Sequence, residues 1–207
     1  MFDNTEKLTK NKKYTQDELF KMVLENEDLR EKTEALFALD FKDLTLVKDE
    51  YPDYEFNLDG RAFAEDGGAG VYILLEDGSI GYVCFDFPLE CGRIAENLVE
   101  WFELLLNCAN FWLNYADKKY LENLEALEKK VEESEPKGQE QFEDAYEDDM
   151  PSYLELQKEL SEKLDIKIYD SIAKGVLQRF FKTAERKPKF MIKYVPDDEI
   201  AEELIKN

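Results

Sequence analysis

Histidine is absent from the 207-residue chain. That removes serine triads of the usual kind, cysteine–histidine nucleophiles and nearly all zinc sites built on imidazole. Cysteine is scarce. Cys84, Cys91 and Cys108 are the 3 in the chain, too few and too scattered for a four-cysteine zinc site. An odd number also argues against a disulfide framework and for a reducing compartment. Cys84 and Cys108 fall on apolar elements, where a free thiol behaves as a small hydrophobe. Cys91 is read as lying in a connecting loop and as the reachable one of the three. A place beside Arg93 at a helix start would lower its pKa, but no resolving cysteine or histidine base accompanies it. It is read as a loop cysteine, and Arg93 as the partner of a nearby carboxylate. Long apolar runs are missing too: no segment approaches the roughly 20 residues needed to cross a bilayer. The opening MFDNTEKLTKNKKYTQDEL lacks the apolar core of a signal peptide. The expectation is a cytoplasmic protein with no membrane partner.

Positive charge is the next shortage, with 27 Lys and Arg against 49 Asp and Glu and a net charge of −22. Such a field repels nucleic acid, whose binding is driven by neutralising phosphates, and disfavours anionic membranes. Basic partners are attracted, and their encounter is accelerated. Carboxylates are so plentiful that no single pair is informative. A carboxylate-based hydrolase needs two of them held across a substrate-sized cleft, which a sequence does not display. The acidic run from Glu143 to Asp149 lacks the spacing and the glycine of a calcium-binding loop. No metal or cofactor is assigned, and no catalytic residue. The cluster Gly67-Gly68-Ala69-Gly70 is not a phosphate loop, because it leads into a strand instead of a helix and follows Glu65 and Asp66. It suits a bulge or a tight turn.

Apolar residues make up 43% of the chain and aromatics 13%, enough for a packed core. The most informative stretch runs from Gly67 to Leu106. Two apolar runs flank Asp77-Gly78, the strongest short-range hairpin signal, and a two-residue type I′ turn is expected there. Pairing across it places Val71, Ile73 and Leu75 opposite Cys84, Tyr82 and Ile80 on one apolar face. The other face is mixed and half covered. After the hairpin the period changes: Ile94, Leu98, Trp101, Leu105, Cys108 and Trp112 form one stripe of a helix from Arg93 to about Ala116 that lies on the sheet. The fold class is α+β, a small antiparallel sheet with a central Asp-Gly hairpin covered by helices, plus a helical C-terminal extension.

Tyr51-Pro52-Asp53-Tyr54, the glycine-rich approach, Val71 to Leu75, Asp77-Gly78-Ser79-Ile80, Tyr82-Val83 and Arg93-Ile94-Ala95-Glu96-Asn97-Leu98 leading to Trp101-Phe102 resemble the SUKH superfamily. The resemblance covers roughly Tyr51 to Leu106. It implies an antiparallel sheet with helices used as a binding scaffold, and a function as an immunity protein against a secreted or contact-delivered toxin. The acidic linker and helical tail after Ala116 depart from a minimal member.

The expected organisation is a flexible N-terminus over 1–14, a SUKH-like core over 15–117 and a helical extension over 118–207. Thr15-Gln16-Asp17-Glu18 is a capping box opening the first helix, and a second passes through Ala35, Leu36 and Leu39. Leu44 to Lys48, Tyr54 to Leu58 and Arg61 to Ala64 read as short strands. Leu121, Leu124, Leu127 and Val131 belong to a helix covering the far side of the one that begins near Arg93. Pro136 and Gly138 should end it, leaving an acidic, mobile linker near 132–149. A helix follows Pro151, with Leu154, Leu156 and Leu160, and another passes through Ile172, Val176, Leu177 and Phe180. A last strand is expected within 189–195 and a terminal helix, capped by Asp197, with Ile200 and Leu204.

Interfaces favour aromatic side chains at their centres. Tyr51, Tyr54, Phe85 and Phe87 cluster near strand ends amid Asp53, Glu55, Asp86 and Glu90, and Tyr146 sits inside the acidic run. These nine are the candidate partner-binding residues. The expected function is that of a non-enzymatic protein that neutralises a basic, nucleic-acid-targeting toxin by direct binding. The alternatives are a regulatory adaptor for a housekeeping protein and a carboxylate-based hydrolase.

Overall fold

The computed structural model describes residues 14–86, 88–146 and 150–206. The expected flexible N-terminus, apart from Tyr14, falls outside them, as do Phe87 and the last three residues of the acidic run. Thr15 and Glu18 do close a capping box, the Glu18 amide donating to Thr15 Oγ1 at 3.2 Å and the Thr15 amide to Glu18 Oε2 at 2.8 Å. This starts α1 (Gln16–Glu25). Asn26 then caps α2 (Glu27–Phe37), which stops at Ala38 in the left-handed conformation.

The chain continues through β1 (Leu39–Leu46), α3 (Val47–Glu50), β2 (Tyr54–Phe56), β3 (Gly60–Asp66), β4 (Gly70–Leu75), β5 (Ile80–Cys84) and β6 (Glu90–Ala95). After α4 (Leu98–Asn107) come two 3-10 turns, Trp112–Tyr115 and Lys118–Tyr120, and then α5 (Leu124–Tyr146) and α6 (Tyr153–Leu164). A π-helical turn, Ala173–Leu177, runs into α7 (Gln178–Ala184), and β7 (Ile192–Tyr194), β8 (Glu199–Ile200) and β9 (Glu202–Glu203) close the chain. The fold is α+β, with a six-stranded sheet in the order β1-β3-β4-β5-β6-β9 and a three-stranded sheet in the order β2-β7-β8.

The hairpin forms at Asp77-Gly78, but its loop holds one residue more than expected. The Leu75 amide donates to Ser79 O and the Gly78 amide to Leu75 O, each at 2.9 Å, with Gly78 at φ +82°. The loop is therefore Glu76-Asp77-Gly78, the three-residue kind with its glycine in the left-handed region. The extra residue shifts the register by one. Val71 pairs with Val83, Tyr72 with Tyr82, Ile73 with Gly81 and Leu74 with Ile80. A shift of one exchanges the faces of one strand relative to the other. Tyr82 and Ile80 therefore join Tyr72 beneath the helices, while Val71, Ile73, Leu75 and Val83 form the opposite face.

Both faces are covered. The helical side packs Phe63, Tyr72, Tyr82 and Ile94 against α1, α2, α4 and Trp112. The other side is closed by the small sheet, whose Phe56 and Ile192 sit directly opposite one another across β2 and β7. The expectation of a half-covered second face is corrected: the cover joins β2 to strands from the far end of the chain.

The expected long helix from Arg93 to Ala116 is also divided. Arg93 to Ala95 complete β6, and Asn97 caps α4 by accepting the Glu100 amide at 3.0 Å. All ten residues of α4 are buried except Glu100, and its far side is covered by α6 and the π-helical turn more than by α5. Up to Tyr146 the expected acidic linker is helix instead of a break. α5 passes through Pro136 and Gly138 up to Tyr146. Glu135 and Gly138 lock this turn against Ala109 and Asn110, which offsets the backbone bond that proline removes. The expected terminal helix is replaced by strands. β9 pairs in parallel with Glu90 and Cys91 of β6, burying Leu204 and Ile205 and leaving Ile200 exposed.

Candidate functional site

Tyr51 caps the end of α3, β2 begins at Tyr54, and Phe85 follows the last residue of β5. The turn at Pro52-Asp53 and the hydrogen bond from the Phe85 amide to Ala69 O at 3.0 Å bring these three together. Tyr51 and Phe85 stack with centroids 4.7 Å apart and planes at 25°. Tyr54 meets Phe85 edge-on at 4.7 Å and Tyr194 of β7 at 5.1 Å. Such pairs add about 0.5–1.5 kcal/mol beyond the area they bury. All four rings are half-buried against the smaller core, so each is seated in the protein and still presents surface.

Lys42 of β1 braces one end. Its ammonium bonds to both Glu50 and Glu65 and lies 5.9 Å from the Tyr51 ring centroid, and Tyr51 Oη donates to Glu65 Oε1 at 3.2 Å. Burial opposes the charge on Lys42, but its bonds to Glu50 and Glu65 outweigh this and hold its pKa above the ordinary lysine value. The bond from Lys42 lowers the Glu65 carboxyl below its usual range. Burial raises Tyr51, as it does Tyr54, where Tyr194, Asp53 and Glu199 add to the effect. These tyrosines are neutral at physiological pH.

Of the expected partner-binding residues, Tyr51, Tyr54 and Phe85 form this cluster, and Asp53 and Asp86 are exposed beside it, whereas Glu55 is exposed on the opposite face of β2 from Tyr54, across from Lys193. Glu90 is elsewhere. It is buried in β6 and ion-paired with Lys206, so its charge is spent inside the fold. Tyr146 lies on the helical side, 4.8 Å from Phe142. Phe87 lies outside the described residues. Sequence reasoning missed Tyr194 and Lys42. The alternation Phe190, Ile192, Tyr194 does place Tyr194 on the buried face of its strand, but nothing local pairs it with Tyr54.

The cysteines reverse their expected order of access. Cys91 is a strand residue, 1% exposed, and burial pushes its thiol up to about 12. Arg93 does not face it; the guanidinium binds Asp77 at 2.8 Å, Ser79 and the Pro188 carbonyl. Cys108 is buried and raised as well; burial also raises the Cys84 thiol, but Cys84 is half-buried and so remains within reach of a reagent. Iodoacetamide at neutral pH should therefore alkylate Cys84 first, with Cys91 and Cys108 reacting only after unfolding. Peptide mass mapping reads the order, and early labelling of Cys91 would contradict it.

Buried carboxylates are each engaged by a separate partner. Glu103 accepts from Arg179 at 2.6 Å, and Glu135 accepts the Ala109 amide at 2.6 Å and the Tyr115 hydroxyl at 2.5 Å. Among the described residues no group of three or more Cys, Asp or Glu is arranged to hold a metal ion, and no helix is long and apolar enough to cross a membrane. Compared with known proteins, the chain matches no family model, no curated protein and no solved structure.

Proposed function

We propose that this is a non-catalytic binding protein that neutralises a basic, nucleic-acid-targeting protein toxin by covering it, as the resemblance to SUKH immunity proteins implies. The observation that carries the reading is the platform of Tyr51, Tyr54, Phe85 and Tyr194 with exposed Asp53 and Asp86 beside it and Glu55 on the outer face of the same strand, on a chain of net charge −22. Half-buried rings are pre-ordered, so little entropy is lost when a partner covers them. A toxin that binds phosphate carries Lys and Arg, and the acidic surface steers it toward the platform.

The test is recovery of the tagged protein from its native cell at low and then high salt, identification of its stoichiometric partner, and kinetics on the purified pair. A basic toxin is expected, with an association rate falling about tenfold or more as salt rises from roughly 50 to 500 mM. Tyr51→Ala with Phe85→Ala should weaken the complex at least about 30-fold, mainly through faster dissociation. Replacing Asp53, Glu55 and Asp86 by their amides should mainly slow association. Salt-independent association would sink the electrostatic part, and a housekeeping protein as the partner would favour the regulatory adaptor.

A further inference from the structure

On the helical side, away from the aromatic platform, a cavity of about 280 Å³ opens between the end of α2, the end of α4 and the face of α5. Leu36, Phe37, Phe111, Trp112, Phe142 and Tyr146 are among the residues that line it. Ala35, Ala38 and Tyr146 also border a second, more open depression of about 380 Å³, which carries Glu31, Glu34 and Asp40. The two form one groove, apolar at its inner end and acidic at its mouth.

Among the described residues, most of its negative charge has no cationic partner. α2 and α4 both direct their C-terminal ends at the groove, and neither has a basic residue in its last turn. Helix C-termini carry partial negative charge and favour cations. Among the described residues, no Lys or Arg lines either part of the groove. Glu34 is occupied by Arg30 and by the Phe41 amide, each at 2.8 Å. Glu31 and Asp40 are exposed and form no ion pair among the described residues. The inner space lies just below the roughly 300 Å³ at which small-molecule sites begin, so it suits one large side chain better than a whole metabolite. The rings of Tyr146 and Phe142, 4.8 Å apart at its border, add faces on which a cation can rest.

We propose that this groove is an anchor site for a basic segment of a partner protein, taking one aromatic side chain into the cavity and an adjacent Lys or Arg against Glu31 and Asp40. Charge complementarity selects this occupant: an apolar hole with an acidic rim and two helix C-termini disfavours an acidic or neutral chain. The inference is independent of the toxin reading and of the aromatic platform, because it concerns another surface and is tested with peptides alone.

The experiment titrates the full chain into fluorescently labelled Lys-Lys-Phe-Lys-Lys, Lys-Lys-Ala-Lys-Lys and Glu-Glu-Phe-Glu-Glu at about 50 mM salt, low enough for surface charge to act. The phenylalanine peptide should bind at least about tenfold tighter than its alanine counterpart, and the acidic peptide should not bind. Glu31→Gln with Asp40→Asn should weaken binding by about fivefold or more. Ala145→Trp, at an exposed position on the rim, should weaken it by about tenfold without touching Glu31 or Asp40. Equal binding of the phenylalanine and alanine peptides would reduce the groove to diffuse surface charge and overturn the proposal. So would undiminished binding in both the Gln/Asn and the Trp variants. Sedimentation showing a dimer that Ala145→Trp renders monomeric would give the groove to a second copy of this chain instead.

Discussion

Trp101→Ala is expected to remove about 4 kcal/mol of unfolding free energy, within the 3–5 kcal/mol range for truncating a buried Trp or Phe. Trp101 is fully buried on α4. Five aromatic rings surround it, with centroids at 4.9 Å for Phe102, 5.0 Å for Phe63, 5.4 Å for Tyr72, 6.0 Å for Phe37 and 6.2 Å for Phe41. They come from α2, β1, β3, β4 and α4 itself, so the void left by alanine cannot be filled by moving one element. Domains are stable by only about 5–15 kcal/mol, and this loss would leave many molecules unfolded at modest urea. Trp101→Phe should cost far less, under about 1.5 kcal/mol, since the indole N–H it deletes is buried without a hydrogen-bond acceptor. Urea unfolding of both variants gives the comparison. An alanine variant losing less than about 2 kcal/mol would mean that the aromatic cluster collapses around the gap.

Gly138→Ala should destabilise by about 3 kcal/mol, the upper part of the range for overpacking. Helix propensity predicts the opposite, because alanine is favoured over glycine in a helix by about 1 kcal/mol. The reversal comes from contact. A Cβ at position 138 would lie 2.4 Å from the carbonyl carbon and oxygen of Ala109 and from the Asn110 amide nitrogen. All three are backbone atoms and have no rotamer to yield. One turn before, Glu135 holds the same loop through the Ala109 amide and Tyr115, so α5 cannot retreat without breaking those bonds around a carboxyl whose pKa burial already raises. Gln141→Ala, exposed on the next turn, is the control and should fall within about 0.5 kcal/mol of the parent. Guanidinium midpoints measure all three, and a Gly138→Ala protein as stable as the parent would show that the loop is free to move.

Gly138 also shows how a local signal misleads. Proline followed by glycine in an acidic stretch reads as the end of a helix, and that reading is sound for an isolated peptide. Here the glycine is present so that two backbones can touch, and Pro136 is carried within a helix held from outside. Register taught a similar lesson. Asp77-Gly78 marked the hairpin correctly, but whether the loop held two residues or three decided which side of β5 met the helices. The aromatic platform was half legible. Tyr51, Tyr54 and Phe85 stood out as rings among carboxylates near strand ends, whereas Glu90, of the same type and nearby in sequence, turned inward to Lys206.

What the sequence determined by itself is therefore the α+β class, the capping box at Thr15, the hairpin site, the strand at Ile192 to Tyr194 and the acidic field. Each depends on period, composition or a few neighbouring residues. Tertiary structure alone decided the hairpin register, the cover over the second sheet face, the inertness of Cys91 and the groove between α2, α4 and α5. Those depend on which distant segments exclude water from which atoms. Excluding water is a property of the assembled surfaces, with the last strands of the chain closing a sheet begun near its start, and no window of neighbouring residues contains it.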